Sequence, residues 1–243
     1  MGRNLIVGDI HGRYEKLLSV LGKASFDPDF DTLYSVGDFC DRGKDAVKTL
    51  RFLMSLKNLK AVVGNHDIIL QDWLYSEKRD ENWLRYLGGN KTVNDIIYRH
   101  RLCRMERLEI AGFLRSLPLV IVEDRYIVVH GGIPCRRGMD DLVRYQEWKR
   151  PAYSGLNNDE SPAWDRDYML SAYSELHPEF RDEIFMEAKP FETDKTIFVG
   201  HTPTVEGKPF ISEKYHLVAL DTGAGGNGPL TLMDMDTCEF WQS

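Results

Sequence analysis

The sequence predicts an α/β fold built on a largely parallel sheet. Three short apolar runs, Asn4–Val7, Thr32–Val36 and Leu59–Val63, each stop at a glycine followed by a polar residue: Gly8-Asp9, Gly37-Asp38 and Gly64-Asn65. Between them apolar residues recur at helical spacing, at Tyr14, Leu17, Leu18 and Leu21 and again at Ala46, Val47, Leu50, Leu53 and Met54. Strand and helix alternating in this way give the βαβ pattern of a parallel sheet. Such sheets gather ligands at the carboxyl ends of their strands, and the polar motifs fall at those ends.

Each element has a local cause. Asn4–Val7 is apolar enough for a buried strand, and the helix after it closes near Gly22. Asp27-Pro28-Asp29 turns the chain into the second strand. Residues 68–116 read as mostly helical, with Trp73, Trp83, Tyr86 and Tyr98, and Gly88-Gly89 marks a bend or loop. Between Lys78 and Arg107 eight Lys/Arg face four Asp/Glu; this predicts first a solvated helical face and second a wall toward an anionic substrate. Leu119–Val122 and Tyr126–Val129 read as strands joined by a tight turn, the second ending in His130-Gly131-Gly132. Residues 134–180, with Pro134, Pro151, Pro162 and Pro178 and a polar stretch at Asn157–Glu160, are the least regular. Thr196–Val199 is a strand ending in Gly200-His201-Thr202-Pro203, and the tail alternates short strands with turns at 210–212, 216–220, 230–233 and 238–241, which predicts an antiparallel sheet.

Because the polar motifs are scattered from residue 9 to residue 201 of 243, one domain over 1–243 is expected. Hydrophobic residues make up 42% of the chain, enough for a substantial core. The net charge of −7 argues against a nucleic-acid-binding surface over the whole molecule, and bound cations can neutralise part of it. Cys40, Cys103, Cys135 and Cys238 form no CxxC pair, which argues against a zinc ribbon or a thioredoxin-type site and suits a reducing compartment. No apolar run approaches membrane-spanning length, and the N-terminus shows no signal-peptide pattern. A cytoplasmic protein without a membrane partner is expected; the oligomeric state is open.

The polar residues at the strand ends, Asp9, His11, Asp38, Asn65, His130 and His201, form a mixed oxygen and nitrogen set without thiolate. That suits manganese, iron or zinc in a catalytic site. Six donors are too many for one catalytic ion with an open position, and suit two ions bridged by a shared carboxylate, for which Asp38 is the candidate. Each fragment alone has a plain reading: Asn-His-Asp after glycine is also a helix start, and His100, His177 and His216 are taken as ordinary. Four of the seven histidines lying beside glycine in strand-end loops argues for a shared site. Phosphoester hydrolysis also needs a proton for the leaving oxygen. His66 is the candidate, turned away from the ions if Asn65 binds them, with Asp41 to orient it. Arg42 would grip the phosphate, and Arg166 in Trp164-Asp165-Arg166 could add a second guanidinium.

Together these fragments resemble the phosphoprotein phosphatase family of binuclear metallophosphoesterases, with its signature GDxHG, GDxVDRG, GNH[ED], HGG and GH[TS], here Gly8–Gly12, Gly37–Gly43, Gly64–Asp67, His130–Gly132 and Gly200–Thr202. The short bacterial and phage-type branch is the nearest match, including Trp164-x-Arg166 and Leu220-Asp221-Thr222-Gly223-Ala224. The resemblance implies an α/β, calcineurin-like sandwich of two mixed β-sheets flanked by helices, with the metals at one edge. It implies two divalent ions, manganese foremost with iron or zinc as alternatives. One would be held by Asp9, His11 and Asp38, the other by Asp38, Asn65, His130 and His201, with His66 and Asp41 as the acid pair and Arg42 and Arg166 on phosphate. Phe39-Cys40 departs from the usual aliphatic pair, and Asp67 stands where eukaryotic protein phosphatases have Glu. Diadenosine tetraphosphate hydrolases of the same superfamily also carry GNHD. Asp221 and Thr222 are read either as support for a histidine ligand or a loop, or as a turn with Gly223.

The first expectation is a serine/threonine protein phosphatase, in which water bridging the ions attacks phosphorus in line and His66 protonates the leaving oxygen. Its partner is a phosphoprotein or small phosphoester. The second is a dinucleoside polyphosphate hydrolase with the same machinery. A third, a catalytically silent binding module, predicts a lost ligand or acid, and none is missing.

Overall fold

The computed structural model describes residues 2–147 and 161–243. The three predicted strands form as β1 (Asn4–Val7), β2 (Thr32–Ser35) and β3 (Leu59–Ala61), parallel and side by side. The crossovers are α1 (Tyr14–Lys23) and α2 (Ala46–Ser55), and α3 (Asn65–Ser76) leaves β3 at the Asn-His-Asp motif. The helical stretch is broken into a π-helical turn at Trp83–Leu87, α4 (Gly89–Asn94), a second π-helical turn at Asp95–Arg99, and α5 (Arg104–Ser116). Gly88 lies at φ 92° at its bend, a backbone that glycine adopts without cost.

β4 (Val120–Val122) and β5 (Tyr126–Val129) pair antiparallel across the predicted turn. Among its described residues, the region expected to be least regular holds α6 (Met139–Glu147), α7 (Asp167–Tyr173) and a 3₁₀ turn at Pro178–Glu183. Pro151 and the polar stretch at Asn157–Glu160 lie outside the described residues. β6 (Thr196–Val199), β7 (Phe210–Ser212), β8 (Leu217–Ala219), β9 (Thr231–Asp234) and β10 (Phe240–Gln242) complete the chain.

The expectation of one antiparallel tail sheet is corrected. The tail strands are shared between two five-stranded mixed sheets, β10-β9-β1-β2-β3 and β4-β5-β6-β8-β7. β9 pairs antiparallel with β1, while β8 runs parallel to β6 and antiparallel to β7. The reason is burial: β8 and β9 are buried along their whole length, so each needs a neighbour on both sides.

The two sheets pack face to face. Residues from the inner strands, including Ile6, Val128, Phe198, Val218 and Met233, form the layer between them. Their neighbours Leu5 and Val7 face the other way, onto a core shared with Leu17, Leu50 and Leu114 of the helices. Ile127, Val129, Ile197 and Val199 do the same against Leu142 and Tyr168. The result is a helix–sheet–sheet–helix sandwich.

This arrangement aims the site. Each sheet has three parallel strands, β1, β2 and β3 in one and β5, β6 and β8 in the other. Asp9, Asp38, Asn65, His130, His201 and Asp221 each follow the carboxyl end of one of those six.

Phe198 lies fully buried in the inter-sheet layer. Phe198→Ala is expected to lower unfolding free energy by about 3–5 kcal/mol, read by urea denaturation. A loss under about 1 kcal/mol would mean that the two sheets do not depend on this contact.

Candidate metal centre

The loop after β2 carries Asp38 into the site on a left-handed backbone, at φ 54°. His11, Asp41, Arg42 and His201 share that conformation, at φ 48°, 68°, 59° and 66°. Such strain persists only where the surroundings over-determine it. Here the carboxylate of Asp67, fully buried, accepts hydrogen bonds from the backbone N–H of Asp38 (2.7 Å), Phe39 (2.8 Å) and Gly64 (3.1 Å). It thereby caps α3 and locks the β2 loop to the β3 loop. Burial first, and then the nearby Asp38 charge, push the Asp67 carboxyl up to about 7.

The six predicted donors come together. His11 donates through Nδ1 to the Cys40 carbonyl at 2.8 Å, which leaves Nε2 as a lone pair, 3.5 Å from Asp38 Oδ2 and 4.0 Å from Asp9 Oδ2. That Nε2 is buried without a hydrogen-bond partner. His130 donates through Nδ1 to the Val36 carbonyl at 2.8 Å; its Nε2 stands 3.0 Å from Asn65 Oδ1 and 3.4 Å from Asp38 Oδ1. His201 brings Nδ1 to 3.1 Å from the same Asn65 oxygen. A backbone carbonyl on one ring nitrogen is the usual way of fixing a metal-binding imidazole. Both Asp9 oxygens receive the His201 N–H, at 3.2 and 3.0 Å.

The electrostatics suit cations. Burial, with the Asp221 charge behind it, raises the Asp9 carboxyl well above the usual range. Burial pushes His11 down to about 3 and His201 well below its usual value, so both are neutral and ready to ligate. His130 is raised to about 9: burial opposes its charge, but Asp38 prevails. A cation on Nε2 would take the place of that proton. Ligand atoms of Asp38, His130 and His201 lie within 4.8 Å of one another, as do those of His11, Asp38 and His66, and Asp38 belongs to both groups. An orphaned imidazole nitrogen, crowded buried carboxylates and a thiolate-free donor set all fit a pair of divalent ions sharing Asp38.

Glycines make the room. A Cβ on Gly64 would fall on Asp38 Oδ1, and one on Gly200 would fall on Asp9 Oδ1.

His66 is not turned away from this group, as the sequence reading expected. Its ring packs edge-on to His11 with centroids 4.9 Å apart, and its Nε2 is 4.0 Å from Asp38 Oδ2. The reason is the helix start: the His66 N–H bonds Asp38 Oδ1 at 3.1 Å, which brings the side chain over the same rim. Its Nδ1 meets Asp41 Oδ2 at 2.7 Å, as expected, and its Nε2 accepts from Arg42 Nη2 at 3.2 Å. Burial works against a charged ring, yet Asp38 and Asp41 outweigh it and the His66 pKa is raised.

The helical stretch supplies residues that sequence reasoning missed. Trp83 Nε1 donates to Asp41 Oδ2 at 2.6 Å, and Thr92 Oγ1 donates to Asp41 Oδ1 at 2.7 Å while accepting the Asp41 N–H at 2.8 Å. Lys91 Nζ holds the Arg42 carbonyl at 2.8 Å. A Cβ on Gly88 would lie 2.6 Å from the Arg42 nitrogen, so the glycine bend lets this stretch close on the site. Gly88-Gly89 is the one trace of this in the sequence.

Arg166 is exposed and makes no side-chain hydrogen bond among the described residues. Its pKa is lowered by desolvation first and then by Arg42, against the pull of Asp221, Asp9 and Asp38. Asp221 turns with Gly223, whose N–H it takes at 2.9 Å on Oδ1, while Oδ2 stays buried without a hydrogen bond. Among the described residues its side chain bonds no histidine. Thr222 Oγ1 holds Pro229 O at 2.9 Å and Thr231 Oγ1 at 2.7 Å, fixing the loop that follows. Gly225 in that loop lies against His11 and Arg42.

Fold and donor set define a metallophosphoesterase. Residues 2–222 match the calcineurin-like phosphoesterase family model, and the chain belongs to that family. A Vibrio vulnificus protein named symmetrical bis(5'-nucleosyl)-tetraphosphatase is 28% identical over 269 residues, covering 95% of this chain and 94% of its own. A Coxiella burnetii protein of the same name is 28% identical over 284 residues, covering 98% and 91%. Among solved structures, the cold-active protein-tyrosine phosphatase of a psychrophilic Shewanella species superposes with a TM-score of 0.63 at 18% identity, over 100% of this chain and 80% of that one. A yeast protein serine/threonine phosphatase superposes at 0.56 and 16% identity, over 100% and 79%. Both likenesses are of fold. No helix among the described residues is long and apolar enough to cross a membrane.

Thr92→Val keeps the shape and removes both hydrogen bonds to Asp41. It is expected to cost about 1–3 kcal/mol of stability and to lower kcat with little change in KM. A variant equal to wild type in both would show that Thr92 does not orient Asp41.

Proposed function

We propose that the protein is a metal-dependent hydrolase of dinucleoside polyphosphates, cutting a tetraphosphate bridge in the middle to give two nucleoside diphosphates. One observation carries this reading. Relatives named for that activity match nearly end to end in both directions, 95% of this chain and 94% of theirs. The protein phosphatases match in fold at 16–18% identity. The sequence expectation put the protein phosphatase first and the dinucleotide hydrolase second; the relatives favour the reverse order.

The proposed ligands are Asp9, His11 and Asp38 on one ion and Asp38, Asn65, His130 and His201 on the other. Manganese is the first candidate metal. When bound, such a pair supplies an activated water and a Lewis-acid clamp on phosphoryl oxygens. The chain's own residues do the rest. Arg42 and Arg166 bind the phosphate oxygens and spread the charge that builds on them. A phosphate arriving at Arg42 draws its Nη2 from His66 Nε2, which is then free to carry a proton. Asp41 holds His66 Nδ1 and steadies the imidazolium, and Trp83 and Thr92 fix Asp41 in turn. As the bridging P–O bond breaks, the proton on His66 Nε2 passes to the leaving oxygen. Asp221 sets the anionic back of the arginine pair.

The wild-type protein, stripped and reconstituted with manganese, is expected to favour diadenosine tetraphosphate over a phosphoserine peptide by about a hundredfold or more in kcat/KM, a gap of about 2.7 kcal/mol. The reverse preference would return the protein phosphatase to first place. Asp38→Asn should abolish metal-dependent turnover of either substrate while leaving the fold; retained turnover would remove Asp38 as the shared ligand.

His66→Asn distinguishes the substrates further. A nucleoside diphosphate leaves readily without a proton, whereas a serine alkoxide does not. The variant should lose about 10²-fold or more on the phosphoserine peptide and clearly less on the dinucleotide. Equal losses would mean that His66 does not act on the leaving oxygen.

A further inference from the structure

Beside the metal centre lies a cleft of about 600 Å³. Its described lining combines Trp164, Phe185 and Met186 with Arg136, Arg137 and Arg166; of its three acidic residues, Asp165 and Asp167 are engaged by backbone N–H groups and Glu183 is the third. We propose that this cleft receives one nucleoside of the substrate, its base against Phe185 and Trp164 and its phosphates along the arginines. The inference rests on the dinucleotide reading of the metal site and adds where the nucleoside goes.

Three observations point to such a ligand. First, the cleft is continuous with the site. Arg166 lines it and also feels the charges of Asp9, Asp38 and Asp221. The segment carrying Trp164 and Arg166 leans on the His130 loop, whose Gly131 and Gly132 N–H groups donate to Pro162 O at 2.8 and 3.2 Å. A Cβ on Gly131 would fall on the Asp165 carbonyl, so cleft wall and metal ligand are set as one unit.

Second, Phe185 is 89% exposed, yet its backbone is pinned. Asp167 takes the Phe185 N–H at 2.8 Å on one oxygen and the Met186 N–H at 2.9 Å on the other, while Cys135 Sγ bonds the Met186 carbonyl at 3.3 Å. A segment held through its backbone presents a bare ring to the cleft. Such a ring loses little freedom on stacking, and every base offers a π-face.

Third, the chemistry is mixed as a nucleotide needs. Apolar side chains suit the base, and guanidiniums, of which Arg166 also feels the metal-site carboxylates, suit a polyphosphate. An extended peptide would gain less from three arginines beyond its single phosphate.

The test uses the full chain as wild type, Phe185→Ala, Phe185→Trp and Phe30→Ala, the last an exposed phenylalanine outside the cleft lining (73% exposed). One readout is the kcat/KM ratio of diadenosine tetraphosphate to p-nitrophenyl phosphate on manganese-loaded protein. Base stacking of this kind predicts that Phe185→Ala lowers the ratio about tenfold, through KM, that Phe185→Trp restores it, and that Phe30→Ala leaves it unchanged. The other readout is calorimetric binding of ADP and of inorganic pyrophosphate to metal-stripped protein. The wild type should prefer ADP, and Phe185→Ala should erase that preference.

An unchanged ratio in Phe185→Ala would overturn the cleft and leave the dinucleotide reading standing. ADP binding that depends on Phe185, in a protein that turns over p-nitrophenyl phosphate but no dinucleotide, would support the cleft and sink that reading. A KM effect of Phe185→Ala on a phosphoserine peptide, with none on the dinucleotide, would give the cleft to peptide and overturn the proposal.

Discussion

The site hangs on one buried carboxylate that touches neither phosphate nor proton in the proposed chemistry. Asp67 gathers three backbone N–H groups from two loops. A carboxylate fully removed from water is tolerable only when its lone pairs are filled, and these donors fill them with short bonds. In return the β2 loop is held in a left-handed backbone that would otherwise relax. Asp38 enters the site because Asp67 holds its peptide there. Asn65 and His66 follow because the same carboxylate starts the helix on which they ride. Its geometry thus reaches the proposed shared ligand, a further proposed donor and the proposed acid–base residue at once.

A second layer of support comes from chain far away in sequence. Asp41 is buried between Trp83 and Thr92, so its two oxygens and its N–H are all engaged before any substrate arrives. That satisfies the buried charge and leaves it one free task, orienting His66. Within residues 78–107, Arg79, Arg85 and Lys91 are exposed, as on a solvated face, while the uncharged Trp83 and Thr92 reach inward to Asp41.

The sequence disclosed what is local and withheld what is not. The six donors were legible because each sits next to glycine at a strand end, a position that tertiary context rarely overrides. The strands of the tail were legible as strands, since alternation and turn residues are local. Their partners were not: β9 completes a sheet begun at residue 4, and β8 one begun at Val120. Both pairings repay the burial of whole strand faces, which no short window contains. Thr92 and Trp83 were missed for the same reason, as their contacts exist only once the glycine bend folds the stretch back. The orientation of His66 turned on a backbone bond to Asp38, invisible in spacing alone.

The glycines at 64 and 200 carry a lesson about recognising silent relatives. Each provides an absence of atoms into which a carboxylate oxygen fits, that of Asp38 or of Asp9. A paralogue could retain every donor in register and still be disarmed by a single alanine there, because the carboxylate would have to swing out of place. An inventory of ligands would score such a protein as competent. Competence in this architecture is better judged by the hollows beside the donors as well as by the donors, and drift from enzyme to scaffold can begin with a methyl group.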